Sequence, residues 1–273
     1  MATIRKGHPK IGKIIVTMQK SPLPPEQMKK RKPFCFALFL FFALFLLFCH
    51  SSYGISRQSD KANEKKLRDG MVEKQLVERG IKEPRVLQAI RTIPRHLFVP
   101  EKYTESAYGD FPLPIGYGQT IPQPYIGALM SELLEAKKTD VALEIGTGSG
   151  YQAAVLGLIV KEVYTIEIIP QLGEAAGKRF EKLGFKNITL KIGDGYLGWN
   201  DHAPFDRIIV TAVTTHVPPP LIQQLKNGGK MVIPIGNPFQ IQNLMLIEKS
   251  DEGTITTRSI LPVRFAPLIH QWK

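Results

Sequence analysis

The stretch best suited to chemistry covers residues 141–150 and reads Val-Ala-Leu-Glu-Ile-Gly-Thr-Gly-Ser-Gly. Its apolar first half predicts a buried strand. Three glycines follow at alternate positions, Gly146, Gly148 and Gly150, and glycine lets the backbone turn sharply and approach a ligand closely. Residues 151–159 have the apolar spacing of a helix. Strand, loop and helix together predict a nucleotide-type site, in which loop amides and the helix N-terminus face the ligand.

Two features separate this loop from other nucleotide-binding loops. Its spacing is G-x-G-x-G, whereas NAD-binding proteins show G-x-G-x-x-G, and it has no lysine, which excludes a P-loop. Glu144 lies just before the loop, and a carboxylate there favours a cationic ligand such as S-adenosylmethionine, whose sulfonium is positively charged. The next predicted strand ends in Glu167, about where a ribose-binding carboxylate is expected. The alternative is a tight strand-to-helix turn without a ligand.

A second candidate region is the segment of residues 107–125, which is rich in proline and glycine. Long irregular segments inside a compact domain are usually functional. Its polar side chains, especially Gln119, Thr120 and Tyr125, are therefore candidate substrate contacts. A rigid surface connection is the alternative.

The elements around these residues alternate between strand and helix, which predicts an α/β fold with a mostly parallel sheet and helices on both faces. Further strands are predicted at residues 162–167, 187–192, 205–211 and 230–235, with helices at 170–183 and 219–225. Residues 243–248 and 254–261 are expected to form a closing antiparallel pair. Ligands bind at the carboxyl ends of such strands, so one crevice is expected to contain Glu144, Glu167, Asp194 and Thr211.

The charge of the chain is concentrated at its N-terminus. Residues 1–70 contain 14 Lys and Arg against 4 Asp and Glu, whereas residues 71–273 contain 22 against 20. The part expected to fold is therefore nearly neutral, and no recurring basic–aromatic pattern predicts a nucleic-acid partner.

The N-terminal region divides into three parts before the predicted domain of residues 65–273. Residues 1–33 form a basic tail, expected to be disordered, and residues 50–64 form a polar linker. Between them, residues 34–49 are 16 uncharged apolar residues, a length between a signal-peptide core and a short membrane span. A membrane anchor, an export signal and an upstream extension that the working protein lacks all remain open. Both cysteines lie in this run, so the domain has no thiol, disulfide or zinc-type motif.

From about residue 71 to the C-terminus, the chain resembles protein-L-isoaspartate O-methyltransferases, which are class I S-adenosylmethionine-dependent enzymes. The combination of Gly118-Gln-Thr-Ile121 with Gly193-Asp-Gly195 is specific to that family. The other matching stretches are residues 71–76, 95–100, 112–116, 123–126, 143–152, 198–199, 203–206 and 225–235.

The resemblance implies a Rossmann-like class I methyltransferase fold and methylation of the carboxylate of L-isoaspartyl residues in aged proteins. The ester then closes to a succinimide, which starts repair. A carboxylate is ionised at neutral pH, so neither a general base nor a metal is required. The implied donor-binding residues are Glu144, Gly146, Thr147, Gly148, Ser149, Gly150, Glu167, Asp194 and Gly195. The implied acceptor-binding residues are Gln119, Thr120, Tyr125 and Thr211. The resemblance also implies a cytoplasmic monomer.

The chain departs from the family at one active-site position. After Thr-Ile the family has a serine whose hydroxyl is assigned to the active site, and this chain has Pro122. Proline has neither a hydroxyl nor an amide hydrogen. Either Thr120 orients the acceptor carboxylate instead, or activity is weakened. Two alternatives therefore stay open: a class I methyltransferase that acts on small carboxylic acids, and a donor-binding protein with weakened catalysis.

Overall fold

The computed structural model describes residues 62–270, which belong to a compact unit spanning Arg57–Lys273. The predicted tail, the apolar segment of residues 34–49 and most of the linker lie outside the described residues. Within residues 62–270, no helix combines the length and the apolar character needed to cross a bilayer.

A central sheet of seven strands carries the fold. The described residues contain nine strands in all: β1 (Leu113–Gly116), β2 (Gln119–Ile121), β3 (Val141–Ile145), β4 (Glu162–Glu167), β5 (Ile188–Ile192), β6 (Phe205–Val210), β7 (Leu225–Ile235), β8 (Gln242–Lys249) and β9 (Ile255–Val263). The spatial order of the central sheet is β5-β4-β3-β6-β7-β8-β9, while β1 and β2 form a separate hairpin. Strands β3 to β7 are parallel, and β8 pairs antiparallel with both β7 and β9.

The predicted α/β architecture with a closing antiparallel pair is confirmed. The chain runs outward from β3 to β4 and β5, then returns to place β6 on the other side of β3. The strand order thus reverses at β3, and ligands of open α/β sheets bind outside the carboxyl ends of the strands at this switch point. The glycine loop follows β3 and therefore lies at the expected place.

Helices cover both faces of the sheet. They are α1 (residues 62–77, with a π-helical last part at Val72–Val77), α2 (Pro84–Thr92), α3 (Pro124–Leu133), α4 (Tyr151–Gly157), α5 (Pro170–Leu183) and α6 (Pro219–Gln224). Four of them begin with proline, whose fixed φ and missing N–H suit the first helical position. Helix α5 ends at Gly184 with φ 80°, as glycine C-caps do.

Two elements differ from the sequence prediction. The segment of residues 107–125 is not wholly irregular, since it contains the β1–β2 hairpin, which turns through Tyr117 and Gly118 with positive φ. Strands of three and four residues are too short to show an alternating pattern. Strand β7 begins at Leu225 rather than at residue 230, because Asn227-Gly-Gly229 continues the strand instead of ending the helix.

Candidate active site

The glycine loop joins β3 to α4 in a conformation that requires glycine. Gly146, Gly148 and Gly150 have φ of 93°, 52° and 86°, values that L side chains rarely adopt. A Cβ on Gly146 would lie 2.6 Å from the hydroxyl oxygen of Thr211. At Gly146 the loop therefore packs too closely against Thr211 for a side chain, and the loop backbone forms one wall of a cavity.

Glu167 connects the end of β4 to this loop. Its Oε2 accepts a hydrogen bond from the Gly148 amide at 2.7 Å, and its Oε1 accepts one from the Ile169 amide at 2.9 Å. The residue is 5% exposed and lines the cavity. The carboxylate is thus held rigidly beside the loop, at the edge where a ribose would lie.

Glu144 lies behind the loop rather than at the cavity surface. It is fully buried, and one of its carboxylate oxygens accepts a hydrogen bond from Thr165. The other oxygen has no hydrogen-bond partner among residues 62–270. Burial raises the pKa of Glu144 to about 8, although the Thr165 bond opposes the shift. At neutral pH the side chain is therefore mainly protonated and supports the loop from below.

The hydroxyls of Thr147 and Thr211 brace the loop. Thr147 shares a hydrogen bond of 2.6 Å with Thr165, and Thr211 donates to the Gly146 carbonyl at 2.6 Å. Ser149 Oγ accepts a hydrogen bond from the Tyr151 amide at 3.3 Å. All three residues line the cavity, but these bonds direct their hydroxyls to the protein's own backbone and side chains.

The Gly193-Asp-Gly195 stretch follows β5 and approaches the loop from the other side. Gly195 lines the cavity, and a Cβ there would lie 2.4 Å from Ile145. The carboxylate of Asp194 accepts a hydrogen bond from the Tyr196 amide at 3.0 Å and contacts the His270 ring. Asp194 does not line the cavity as it stands.

The β1–β2 hairpin and the turn after it form the opposite wall. Gln119, Thr120 and Pro122 line the cavity, and a second cavity of about 340 Å³ also touches Thr120 and Pro122. Tyr125 lines neither cavity, since its ring lies 3.6 Å from the guanidinium carbon of Arg79.

The structure thus brings most of the predicted site residues to one cavity. Those that line it are Gln119, Thr120, Pro122, Gly146, Thr147, Gly148, Ser149, Glu167, Gly195 and Thr211, and those that do not are Tyr125, Glu144, Gly150 and Asp194. Sequence reasoning assigned no role to two further parts of the wall, the buried side chain of Arg95 and the segment 267–269. Neither has a periodic pattern or a glycine that would have revealed it.

The polar groups that line the site suit an organic cation better than a metal ion. Within the described residues, no group of three or more His, Cys, Asp or Glu side chains is arranged to hold a metal ion. A Cβ on Gly148 would come within 3.2 Å of Ile115 across the cavity, so the missing side chain leaves room for a ligand. Glu167 and the loop amides supply both acceptors and donors, as the ribose and amino-acid parts of S-adenosylmethionine require.

Comparison with known proteins agrees with this geometry. A sequence model described as protein-L-isoaspartate(D-aspartate) O-methyltransferase matches residues 66–273. The chain is similar to protein-L-isoaspartate O-methyltransferase 1 of Cupriavidus necator, with 57% identity over 187 residues, which are 68% of this chain and 72% of that protein. It is also similar to protein-L-isoaspartate O-methyltransferase 2 of Shewanella sediminis, with 54% identity over 85% of this chain and 94% of that protein.

Solved structures that resemble this chain include protein-L-isoaspartate O-methyltransferases. A protein-L-isoaspartate O-methyltransferase structure covers 73% of this chain and 65% of its own, with TM-score 0.66 and 30% identity. A Plasmodium falciparum structure assigned to the same enzyme, in complex with S-adenosyl-L-homocysteine, has TM-score 0.64 and covers 74% of this chain and 98% of its own. At 24% identity it supports the fold alone. The chain therefore belongs to the protein-L-isoaspartate(D-aspartate) O-methyltransferase family, and it is a carboxyl methyltransferase that uses S-adenosylmethionine.

Proposed function

We propose that this chain methylates the free carboxylate of L-isoaspartyl residues in proteins and peptides and so starts their repair through a succinimide. The observation that carries the proposal is the single cavity between the glycine loop and the β1–β2 hairpin. One wall has the features of a donor site, and the other consists of the Gly-Gln-Thr-Ile stretch that the family uses for its acceptor.

The donor side is assigned to the glycine loop, Glu167 and the turn at Asp194 and Gly195. Glu167 accepts from the ribose hydroxyls while the Gly148 and Ile169 amides hold its orientation. Asp194 accepts from the adenine amine, and Gly195 packs directly against Ile145, where a Cβ would lie 2.4 Å away. Glu144 supports the loop and does not touch the donor.

The acceptor side is assigned to Gln119, Thr120 and the turn at Pro122. When bound, S-adenosylmethionine supplies an electrophilic methyl group, whose bond to sulfur breaks as a carboxylate oxygen bonds to the methyl carbon. No proton moves in this step, because the attacking carboxylate is already ionised. The residues of the chain act by aligning the two reactants and excluding water, and alignment alone can supply a large part of a rate enhancement.

One assay tests the proposal. The full-length protein is incubated with S-adenosylmethionine and one of three acceptors: an isoaspartyl peptide, the same peptide with normal aspartate, or a panel of small carboxylic acids. We expect methyl ester, measured as methanol released in base, from the isoaspartyl peptide alone. Ester formation on small acids only would establish the first alternative, and donor binding without any ester would establish the second.

We further propose that the protein works as a monomer, does not bind nucleic acid and acts in the cytoplasm. The near-neutral charge of residues 71–273 supports the second point, and the family resemblance supports the others. Membrane anchoring or export through residues 34–49 is the alternative location. Fractionation of the native protein, with N-terminal sequencing, separates the two: recovery in the membrane fraction with residues 34–49 present would establish an anchor.

A further inference from the structure

Arg95 is a fully buried arginine in the wall of the reaction cavity. It is 0% exposed and lines the cavity together with Pro122 and Glu167. Its Nε donates to the Ala107 carbonyl at 2.8 Å, and its Nη2 donates to the Pro122 carbonyl at 2.7 Å. The guanidinium carbon lies 4.9 Å from the centre of the Tyr151 ring.

The charge of Arg95 has no counter-ion among residues 62–270. No carboxylate of these residues lies within ion-pair distance of it. Arg207, the second buried arginine of the part of the chain that the structure describes, lies 3.1 Å from the carboxylate of Asp140. Burying an unpaired charge is costly, and burial accordingly lowers the pKa of Arg95. Two neutral carbonyls and an aromatic face compensate only in part.

No carboxylate among the described residues of the cavity wall pairs with Arg95. Glu167 is the only carboxylate among the described residues that line the cavity, and both its oxygens accept from backbone amides. Tyr151 also lines the cavity, and its buried hydroxyl interacts with the Arg95 guanidinium but bonds to no other group among residues 62–270. A cation and a hydroxyl that can still donate its O–H lie at the same wall and match an anionic ligand that carries hydrogen-bond acceptors.

We propose that Arg95 is the counter-charge that binds the acceptor carboxylate in the methyl-transfer site. Two reactants carry a carboxylate, the isoaspartyl residue and the methionine part of the donor. The hydrogen bond from Arg95 to the Pro122 carbonyl favours the acceptor, because Pro122 belongs to the acceptor wall. This position is also where the family has its serine, so Arg95 supplies by charge what the missing hydroxyl does not.

The charge has a definite kinetic consequence. In methyl transfer a carboxylate anion and a sulfonium cation become a neutral ester and a neutral sulfide. The negative charge on the acceptor is therefore smaller in the transition state than in the bound substrate. A fixed cation consequently stabilises the bound acceptor more than the transition state, so it lowers KM and does not raise kcat.

The test is steady-state kinetics of full-length Arg95→Met, Arg95→Gln and Arg95→Lys with an isoaspartyl peptide. We expect KM for the peptide to rise roughly tenfold to a hundredfold in the two uncharged variants, with kcat unchanged or higher. Arg95→Lys keeps the charge, so its KM stays within about threefold of the wild type. The Kd for S-adenosylmethionine, measured by calorimetry, does not change. These fold-changes correspond to the range for a hydrogen-bonded charged pair.

The matched control is Arg68→Met. Arg68 also donates to a backbone carbonyl, that of Arg91 at 2.6 Å, but does not line the cavity. We expect this variant to lose thermal stability without a change in KM. A KM effect of the same size in Arg68→Met would show that Arg95 acts only through folding.

A measurement on the wild type keeps the proposal testable even if the uncharged variants do not fold. A peptide whose isoaspartyl carboxylate is replaced by a carboxamide is tested as a competitive inhibitor. We expect it to bind at least tenfold more weakly than the carboxylate peptide, and equal binding would overturn the proposal. A weakened donor Kd with unchanged peptide KM in Arg95→Gln would assign Arg95 to the donor carboxylate and also overturn it. The inference rests on the proposed function. Failure of the function and failure of the inference are distinguishable, because only failure of the function leaves the wild type without ester.

Discussion

At the scale of single residues, Glu167 has the clearest role to test. It holds the amides of Gly148 and Ile169 and faces the expected ribose position. Glu167→Gln keeps the shape of the side chain but removes the negative charge, which strengthens its hydrogen bonds to the two amides and to the ribose hydroxyls. Hydrogen bonds to a charged group contribute about 1.5–3 kcal/mol, so we expect the Kd for S-adenosylmethionine to rise roughly tenfold to a hundredfold in calorimetry.

The control for this experiment is Glu174→Gln, which removes one negative charge from an exposed position of α5. Its donor affinity should equal that of the wild type. If Glu167→Gln also binds the donor normally while circular dichroism shows an intact fold, Glu167 does not hold the ribose.

Glu144 leads to a prediction about stability and pH. Its pKa is raised by burial from 4.5 to about 8 in the folded protein. Between these two values the unfolded chain has lost the proton and the folded chain retains it. Unfolding then releases a proton, so rising pH lowers the stability of the folded state by up to about 1.4 kcal/mol per pH unit.

Urea unfolding of the wild type and Glu144→Gln at pH 5.5, 6.5 and 7.5 measures this effect. We expect the stability of the wild type relative to the variant to fall across the series, because glutamine does not titrate. A constant difference between the two proteins would mean that Glu144 is ionised in the fold and that its burial is compensated by other groups.

Glu144 also shows where sequence reasoning about the site reached its limit. An acid just before a glycine loop predicts a ligand contact from its position in the chain alone. The side chains of a strand alternate between its two faces, and no pattern in a run buried on both faces tells which face meets the ligand. The structure turns Glu144 toward Thr165, whereas Glu167, at the end of the next strand, reaches the cavity.

At the scale of elements, the proposed acceptor wall is the β1–β2 hairpin with its following turn. Its proline and glycine content predicted an irregular functional segment. Gln119 and Thr120 line the cavity, and their contact with the substrate stays a prediction. The hairpin itself was missed, because its register depends on backbone pairing between residues such as Leu113 and Ile121. The same is true of Arg95, whose contacts reach 12 and 27 residues along the chain.

The substitution Pro122→Ser tests the departure of this hairpin from its family. A serine hydroxyl at the cavity wall adds one hydrogen bond to the acceptor carboxylate, worth about 1.5–3 kcal/mol. The freed backbone opposes this gain by about 0.4–1 kcal/mol. The Pro122 carbonyl accepts from Arg95, and serine retains that carbonyl. We therefore expect KM for an isoaspartyl peptide to fall roughly tenfold, so that kcat/KM rises, with donor affinity unchanged.

Thr120→Val serves as the companion variant. Thr120 is exposed to the cavity, and valine keeps its shape without the hydroxyl. If Thr120 has replaced the family serine, this variant loses activity and Pro122→Ser has no effect. Unchanged kcat/KM in both variants would show that this hairpin does not orient the carboxylate through a hydroxyl.

At the scale of the whole molecule, the order of strands and helices was predictable because each element shows its own period and its own proline or glycine boundary. Helix α5, for example, was predicted at residues 170–183 and is observed there. The path of the C-terminal segment was not predictable. Leu268 donates to the Val213 carbonyl at 2.8 Å, and this bond places residues 267–269 against the cavity although nothing in their sequence indicates it.

The start of the domain gives the last prediction. The sequence motifs shared with the family begin at about Met71 and the family model begins at residue 66, but helix α1 extends back to residue 62. Arg68 donates from Nε to the Arg91 carbonyl at 2.6 Å and from Nη1 to the Tyr108 hydroxyl at 3.4 Å. A chain that starts at Met71 loses these part-buried bonds, whereas a chain that starts at Arg57 retains them.

We therefore expect the free energy of unfolding of the chain from Met71 to be about 1–3 kcal/mol lower than that of the chain from Arg57. Hydrogen bonds of a charged group contribute on this order. For a domain of this size the difference lowers the Tm by roughly 3–10 °C. Arg68→Met in the longer chain isolates the arginine and should reproduce most of the loss. Equal Tm values for the two chains would place the functional start of the domain at Met71 and would reduce residues 62–70 to a helical extension without a structural role.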